Sequence, residues 1–337
     1  MTVFDGIPGQ PHMKAFLSAA LKSRDVPHAV LLTGEDTDSF LAIARAFGAA
    51  LLCEDPKTGG DGVPCACGVC ASCMKIDAGD HPDFIEVRHE KPGSFGVDDV
   101  RRLRQDVRIK PYSGDFKVYL LPDAEKLTAQ AQNALLKTLE EPPDYAVLIL
   151  AAKDDAGFLP TVLSRCVRLP GRPMPEEELK EFLMGTETAK QEEEAELLAG
   201  LSGGSPGRAL AMAADETFFP FVRQAVRLFD GLAGTGAREI MEFISSFVTE
   251  ERQQFFVELL RMWCRDALAV KRAGSGASLI FREEIHNIST SAALSYEALA
   301  AVDEATLLAL RRLRAKGNAD LILELMLLRV REAMREG

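Results

Sequence analysis

No run of apolar residues in this sequence is long enough to cross a bilayer. The longest, Ala146 to Ala152, falls far short of the ~20 residues a membrane helix needs. The opening residues, MTVFDGIPGQ, lack a charged segment followed by an apolar one. No secretory leader is visible, and a cytoplasmic location with no membrane contact is expected. Basic residues are also short: 39 Lys and Arg stand against 51 Asp and Glu, a net charge of −12. Phosphate binding needs clustered Lys and Arg, so this balance argues against a chain that coats nucleic acid by itself. Contact with DNA through a local patch, or within a complex, stays open. No internal repeat or low-complexity tract interrupts the 337 residues. At ~100–200 residues per domain, that length allows two or three domains. Apolar residues make up 47% of the chain, enough for sizeable cores.

What is present is an alternation of strand and helix patterns in the first half. HAVLLTG (28–34) is a short apolar run ending in Gly. Residues 38–52 carry Phe40, Ile43, Ala44, Phe47 and Leu51 at helical spacing. DFIEV (83–87) alternates. DDVRRLRQDVR (98–108) sets Val100, Leu103 and Val107 on one helical face behind Asp98 as N-cap. KVYLLP (117–122) and YAVLILAA (145–152) read as strands. Between them, LTAQAQNALLKTLEEPP (127–143) reads as a helix capped by Thr128 and stopped by two prolines. FLPTVLSRCVRLP (158–170) carries a short helix and a strand. Strands alternating with helices predict a mostly parallel sheet. After GRPMP (171–175) strand signals fade. Two acidic helices and a Gly-rich turn, LSGGSPGRALAMA (201–213), lead into amphipathic helices to the end. The expected plan is an α/β domain over 1–170, a small helical domain over 171–213 and an all-helical domain over 214–337. RRLRAK (311–316) reads as a solvated basic face.

Five of the seven cysteines crowd into 21 residues. In a chain outside the secretory route this reads as metal binding before disulfides. Cys67, Cys70 and Cys73 form CxxCxxC, and Cys53 lies 14 residues upstream across a Gly/Pro-rich excursion. Four thiolates fill a tetrahedral zinc shell, and two-residue spacers let paired sulfurs reach one ion. The preferred ligands are Cys53, Cys67, Cys70 and Cys73, because three evenly spaced thiols and one distant thiol close a loop. Cys65 remains a fifth candidate; free or redox-active thiols and an iron–sulfur cluster are the competing readings. A closed four-sulfur shell leaves no place for water and no HExxH accompanies it, so a structural role is expected.

HAVLLTGEDTDSFLAIARAF has the outline of a phosphate-binding loop: strand, Gly34, polar turn, helix. A working loop reads GxxxxGK[ST], where glycines turn N–H groups to phosphate, Lys reaches the β/γ-phosphates and the hydroxyl holds magnesium. Ser39, Phe40 and Leu41 stand where Gly, Lys and Ser/Thr are needed. Phe40 supplies no charge and Leu41 ligates no metal. Glu35, Asp36 and Asp38 put negative charge where an anion would lie.

In Gly9-Gln10, HAVLLTG, CxxCxxC, GDHPDF (79–84), NALLKTLEEPP (133–143), LSRC (163–166) and GGSPGRAL (203–210), in that order, the sequence resembles the bacterial clamp-loader branch of the AAA+ ATPases. The resemblance runs over about residues 3–213. It implies an AAA+ α/β domain of the P-loop type with an inserted zinc module (about 53–73), a small helical lid and an all-α collar. Checked position by position, the ATP-handling features are degraded together. The acidic motif Asp-Glu becomes Pro122-Asp123, the first polar sensor falls at Ala152-Lys153, and the second sensor Arg falls on Gly207, with Arg208 one place on. The pattern resembles the delta-prime type of subunit more than the ATP-hydrolysing gamma/tau type, which stands as the alternative. What survives is Ser164-Arg165-Cys166. The resemblance implies that Arg165, with Ser164 beside it, reaches ATP held by the neighbouring protomer. Cys166 is expected to pack. It further implies a chain that binds no ATP, holds structural zinc, partners gamma/tau and delta subunits, and acts on the sliding clamp and primed DNA through the complex.

Overall fold

The structure, a computed structural model, describes residues 2–89, 93–186, 188–189, 191–282, 288 and 291–336. Its contacts divide the chain into two compact units: Met1–Phe182 with Gly204–Arg208, and Leu183–Gly203 with Ala209–Gly337.

The first unit is a parallel five-stranded sheet with helices on both faces. Its strands are β1 (Ala29–Thr33), β4 (Phe84–Glu86), β5 (Lys117–Leu121), β6 (Ala146–Ala152) and β7 (Val167–Pro170), in the order β4-β5-β6-β1-β7. Every pairing is parallel, with Leu31 opposite Leu150 and Arg168 at the centre. A sheet covered on both faces needs apolar residues at consecutive strand positions, and β5, β6 and most of β1 are buried throughout. Alternate side chains serve opposite faces. Val30 and Leu32 join Met13, Leu17 and Leu21 of α1 (Pro11–Ser23) and Phe40, Ile43 and Phe47 of α2 (Thr37–Leu52). Ala29 and Leu31 join Val100 and Leu103 of α4 (Val97–Asp106) and Ala131, Leu135 and Leu139 of α5 (Ala129–Glu140).

Between α2 and β4 the chain makes an excursion. It holds a two-stranded antiparallel hairpin, β2 (Lys57–Thr58) with β3 (Pro64–Cys65), and α3 (Ala71–Ala78). A four-residue helix, α6 (Pro160–Leu163), connects β6 to β7.

Local signals hold in most places. Thr128 Oγ1 accepts the Ala131 N–H at 3.2 Å, and α5 stops at Glu140, before Pro142 and Pro143. One cap differs. Asp98 lies inside α4, and Gly96 is the N-cap. The Asp99 carboxylate reaches back to the Gly96 N–H at 2.9 Å, so the first turn is closed by the third helical residue instead of the first acid met in sequence.

The second unit contains the helices Glu192–Leu201, Phe218–Gly231, Ala237–Phe247, Gln253–Ala273, Tyr296–Arg314 and Ala319–Glu336. Aromatic rings fill its core, with Phe229 and Phe256 at 5.4 Å between centroids. The basic run at Arg311, Arg312 and Arg314 ends one of these helices and is exposed. Among the described residues no helix is long and apolar enough to cross a membrane.

One buried charge organises this unit. Asp266 is fully buried on helix Gln253–Ala273. Its Oδ2 accepts the N–H groups of Ile280 and Phe281 at 2.8 and 2.9 Å, and its Oδ1 accepts from Arg265 at 2.7 Å. Asp266→Ala orphans two buried N–H groups at once. We expect it to destabilise the protein by about 2–4 kcal/mol in denaturant unfolding; a loss under about 1 kcal/mol would contradict this role.

Candidate functional site

The turn after β1 lies where sheet topology favours a ligand. β1 sits between β6 and β7, and the crevice beyond the carboxyl ends of parallel strands at such a reversal is the usual binding place. Here the crevice is filled. The Gly34 N–H donates to Ala152 O at 3.1 Å, and the Gly171 N–H to Thr33 O at 2.6 Å, so the turn is stitched to the ends of β6 and β7. Gly34 has φ +146°, and a Cβ there would lie 3.0 Å from Phe40 Cζ. The Phe40 ring is fully buried between the backbones of Gly34 and Gly171. Ser39 is buried and Leu41 half-buried beside it. The side chain at the lysine position therefore points into the core with Ile43 and Phe47.

The acids of the turn are also committed. Asp36 is the N-cap residue of α2, but its side chain makes no cap bond. Instead the Ser205 hydroxyl donates to Asp36 Oδ1 at 2.8 Å. Gly207 stands where the resemblance places a sensor arginine. A Cβ there would lie 2.8 Å from Asp38 Cβ and 3.3 Å from Asp36 Oδ1. Only glycine allows this approach.

The other degraded positions have other partners. Asp123, in the left-handed region at φ +52°, pairs with Lys126 at 2.8 Å and His89 at 3.6 Å. Burial opposes its charge, yet Lys126 and His89 hold its carboxyl below the usual range. Ala152 is fully buried at the end of β6.

Arg165 sits at the junction of α6 and β7, with its side chain about one-third exposed. Its guanidinium is held on three sides: Glu140 Oε1 at 2.9 Å, Thr161 O at 2.9 Å and Ser164 Oγ at 3.2 Å. Ser164 itself is exposed and donates to Thr161 O. Cys166 is half-buried against the sheet core, and burial pushes its thiol up to about 11.

A second cluster lies in the excursion. Cys53 ends α2, Cys70 caps α3, Cys73 lies inside α3 and Cys67 lies in the loop between. Their sulfurs all lie within 4.8 Å of one another. Individual separations are 3.7 Å for Cys53–Cys73, 3.9 Å for Cys53–Cys70 and 4.0 Å for Cys67–Cys73. Tetrahedral thiolates at ~2.3 Å from one ion stand ~3.8 Å apart. Backbone N–H groups aim at sulfur: Cys67 at Cys53, Cys70 at Cys67 and Cys73 at Cys70, at 3.3–3.4 Å. Burial acts against the Cys70 thiolate, but the N–H groups of Cys73 and Glu54 and bonds from Cys73 and Cys67 outweigh it, bringing the thiol down to about 6. Burial raises Cys53 and Cys73. The four sulfurs can hold a metal ion. Cys65 stands apart, its thiol donating to Lys57 O across the hairpin at 3.2 Å.

Sequence reasoning missed what supports this cluster. The Asp83 N–H donates to His81 Nδ1 at 3.0 Å, which leaves the proton on Nε2. That nitrogen lies 2.9 Å from Ser72 Oγ, whose own hydroxyl donates to Leu52 O at 2.6 Å. The relay joins the residues before Cys53 and Cys73 to the start of β4. The Asp83 carboxylate also accepts the N–H groups of Tyr112 and Ser113 at 2.8 Å each. Burial lowers the His81 pKa, consistent with a neutral ring. The signal was GDHPDF, where a His, an Asp and a Pro crowd the entry to a strand.

The family described as DNA polymerase III, delta subunit, matches residues 9–174. The delta-prime subunit of Pseudomonas aeruginosa is 40% identical over 184 residues, 53% of this chain and 53% of that protein. The tau subunit of Escherichia coli is 33% identical over 242 residues, 71% of this chain and 35% of that protein. The tau/gamma subunit of Haemophilus influenzae is 35% identical over 180 residues, 53% of this chain and 25% of that protein. The chain thus spans a quarter to about half the length of these curated relatives. A gamma subunit-related protein from Thermotoga maritima aligns with 97% of this chain and 100% of its own at 19% identity and a TM-score of 0.44. Motifs, family match and sequence relatives agree over the first half of the chain: residues 9–174 belong to the bacterial clamp-loader family.

Proposed function

We propose that this chain is a non-hydrolysing, delta-prime-type subunit of the DNA polymerase III clamp loader. It binds no ATP of its own and completes the site of a neighbouring gamma/tau subunit with Arg165. The observation that carries this reading is the filled turn after β1. Phe40 occupies the lysine position with a buried ring, and Asp38 crowds the sensor position at Gly207. The delta-prime relative at 40% identity supports it further. The chain would sit in the complex beside gamma/tau and delta subunits, help open the sliding clamp and place it on primed DNA, in the cytoplasm. The domain plan of an α/β module over 1–170, a lid over 171–213 and a collar over 214–337 belongs to the same reading.

In this reading Arg165 is held ready by Glu140, Thr161 O and Ser164. A partly exposed pair such as Arg165–Glu140 is worth about 0–1 kcal/mol. Exchanging Glu140 for a partner's phosphate therefore costs little. The planar guanidinium then meets charge developing on the transferred phosphoryl group. Tau/gamma relatives at 33–35% identity keep a second reading in view, a hydrolysing gamma/tau-like subunit. Nucleotide binding by the purified chain separates the two.

Cys53, Cys67, Cys70 and Cys73 would hold zinc as a closed structural shell, tying the excursion together. The sulfur spacing and the N–H···S bonds support this donor set over an open catalytic one.

Two results are expected. In the reconstituted complex, Arg165→Ala slows DNA-stimulated hydrolysis at the site it faces by ~10³-fold or more, and Arg165→Lys fails to restore it. Unchanged turnover at that site would exclude the trans role. Metal analysis should find one zinc per chain, lost in Cys73→Ser and kept in Cys65→Ser. Iron with a visible charge-transfer band, or metal loss in Cys65→Ser, would reject the assignment.

A further inference from the structure

Segment Gly204–Arg208 belongs to the first compact unit, although residues 183–203 before it do not. Two bonds help to hold it there. The Met174 N–H donates to Gly204 O at 2.8 Å. The Ser205 hydroxyl donates to Asp36 across 169 residues of sequence. Both side chains of that second bond are buried, at 6% exposure for Asp36 and 3% for Ser205.

The direction of this bond is fixed by chemistry. Ser205 Oγ accepts the Arg208 N–H at 3.2 Å, as the cap of the helix Pro206–Ala214. Its one proton is left for the carboxylate. Asp36 Oδ1 is thereby linked through Ser205 to the first turn of that helix, and it also lies against Gly207. Asp36 stands at the same time at the N-cap position of α2. One carboxylate therefore sits beside two helix N-termini, each carrying partial positive charge. That is the environment a phosphate occupies at such a turn. Asp36 Oδ2 is buried with no hydrogen-bond partner among the described residues, so this side chain is held by Ser205 and by its position alone. An anion arriving from solvent would have to displace it.

We propose that Asp36 is a built-in anion that takes the phosphate position of the degenerate loop and latches segment 204–208 to the first unit without any nucleotide. The inference deepens the reading of an inactive ATP site and rests on it for the meaning of the turn. The latch itself rests on the Asp36–Ser205–Arg208 chain of bonds. It gives the substitutions in the turn a joint purpose: Phe40 fills the space, Asp36 supplies the charge, and Gly207 lets Asp38 approach.

Hydrogen exchange on the full chain, with and without magnesium ATP, tests the latch. The amides of residues 204–208, Pro206 having none, should exchange slowly in the parent protein and be unaffected by nucleotide. Ser205→Ala removes one cap and one buried bond, and should speed exchange there by about tenfold. Asp36→Ala should do the same. Unchanged exchange across β5 and β6 reports that the variants remain folded. If Asp36→Ala disturbs those strands, Ser205→Ala, which deletes a single hydroxyl, reads the same bond. Exchange at 204–208 that is already fast in the parent, or unaltered in Ser205→Ala, overturns the latch. If that occurs without ATP binding, the inactive-site reading survives; protection of 204–208 by ATP overturns both.

Discussion

Everything distinctive about this chain depends on the burial of Phe40 at the turn after β1. A P-loop needs that position to send a positive charge outward to phosphate. Here an apolar ring goes inward and becomes part of the core beside Ile43 and Phe47. The ring then lies against the backbones of Gly34 and Gly171, so the turn is packed from beneath. Once the cavity is filled, charge around it is free to change sign. In the proposed reading Asp36 and Asp38 are tolerated because no anion must enter, and Gly207 is needed because Asp38 lies where a side chain would go. The parallel sheet and its helices frame a turn whose interior is ordinary protein packing.

At the edge of the same unit the proposed chemistry rests on Arg165. Arg165 is about one-third exposed at the end of a short helix, and its three contacts are all to exposed or partly exposed groups. Those contacts orient the guanidinium without burying it. A residue meant only to stabilise the fold would gain more from a buried partner, as Asp266 does in the second unit. The contrast between a filled interior and an available edge is the physical basis for assigning function to a neighbour's site.

Much of this was legible in the residues. The parallel sheet followed from apolar runs alternating with helical patterns, and its strands lie where those runs are. The cap of α5 at Thr128 was read correctly, because a Thr before a helical pattern has few other uses. Asp98 was read as the cap of α4, and Gly96 with Asp99 does that work. Which of two adjacent acids reaches back to the N-cap N–H is set by backbone geometry, which their sequence does not reveal. The choice between Cys65 and its neighbours was open in sequence. The hairpin sets Cys65 apart from the other four, because pairing with Lys57 turns its thiol toward a carbonyl. The relay of Ser72, His81 and Asp83 was invisible for a similar reason. Its members come from a helix, a turn and a strand entry, and only the fold brings them together. The Asp36–Ser205 bond joins residues 169 apart and could not be read from either segment alone.

The proposed function requires that the turn after β1 accept no nucleotide. Calorimetric titration of the purified full-length chain with magnesium ATP measures this most directly. No saturable heat is expected at millimolar nucleotide. Stoichiometric binding in the micromolar range, with Phe40 in place, would contradict it.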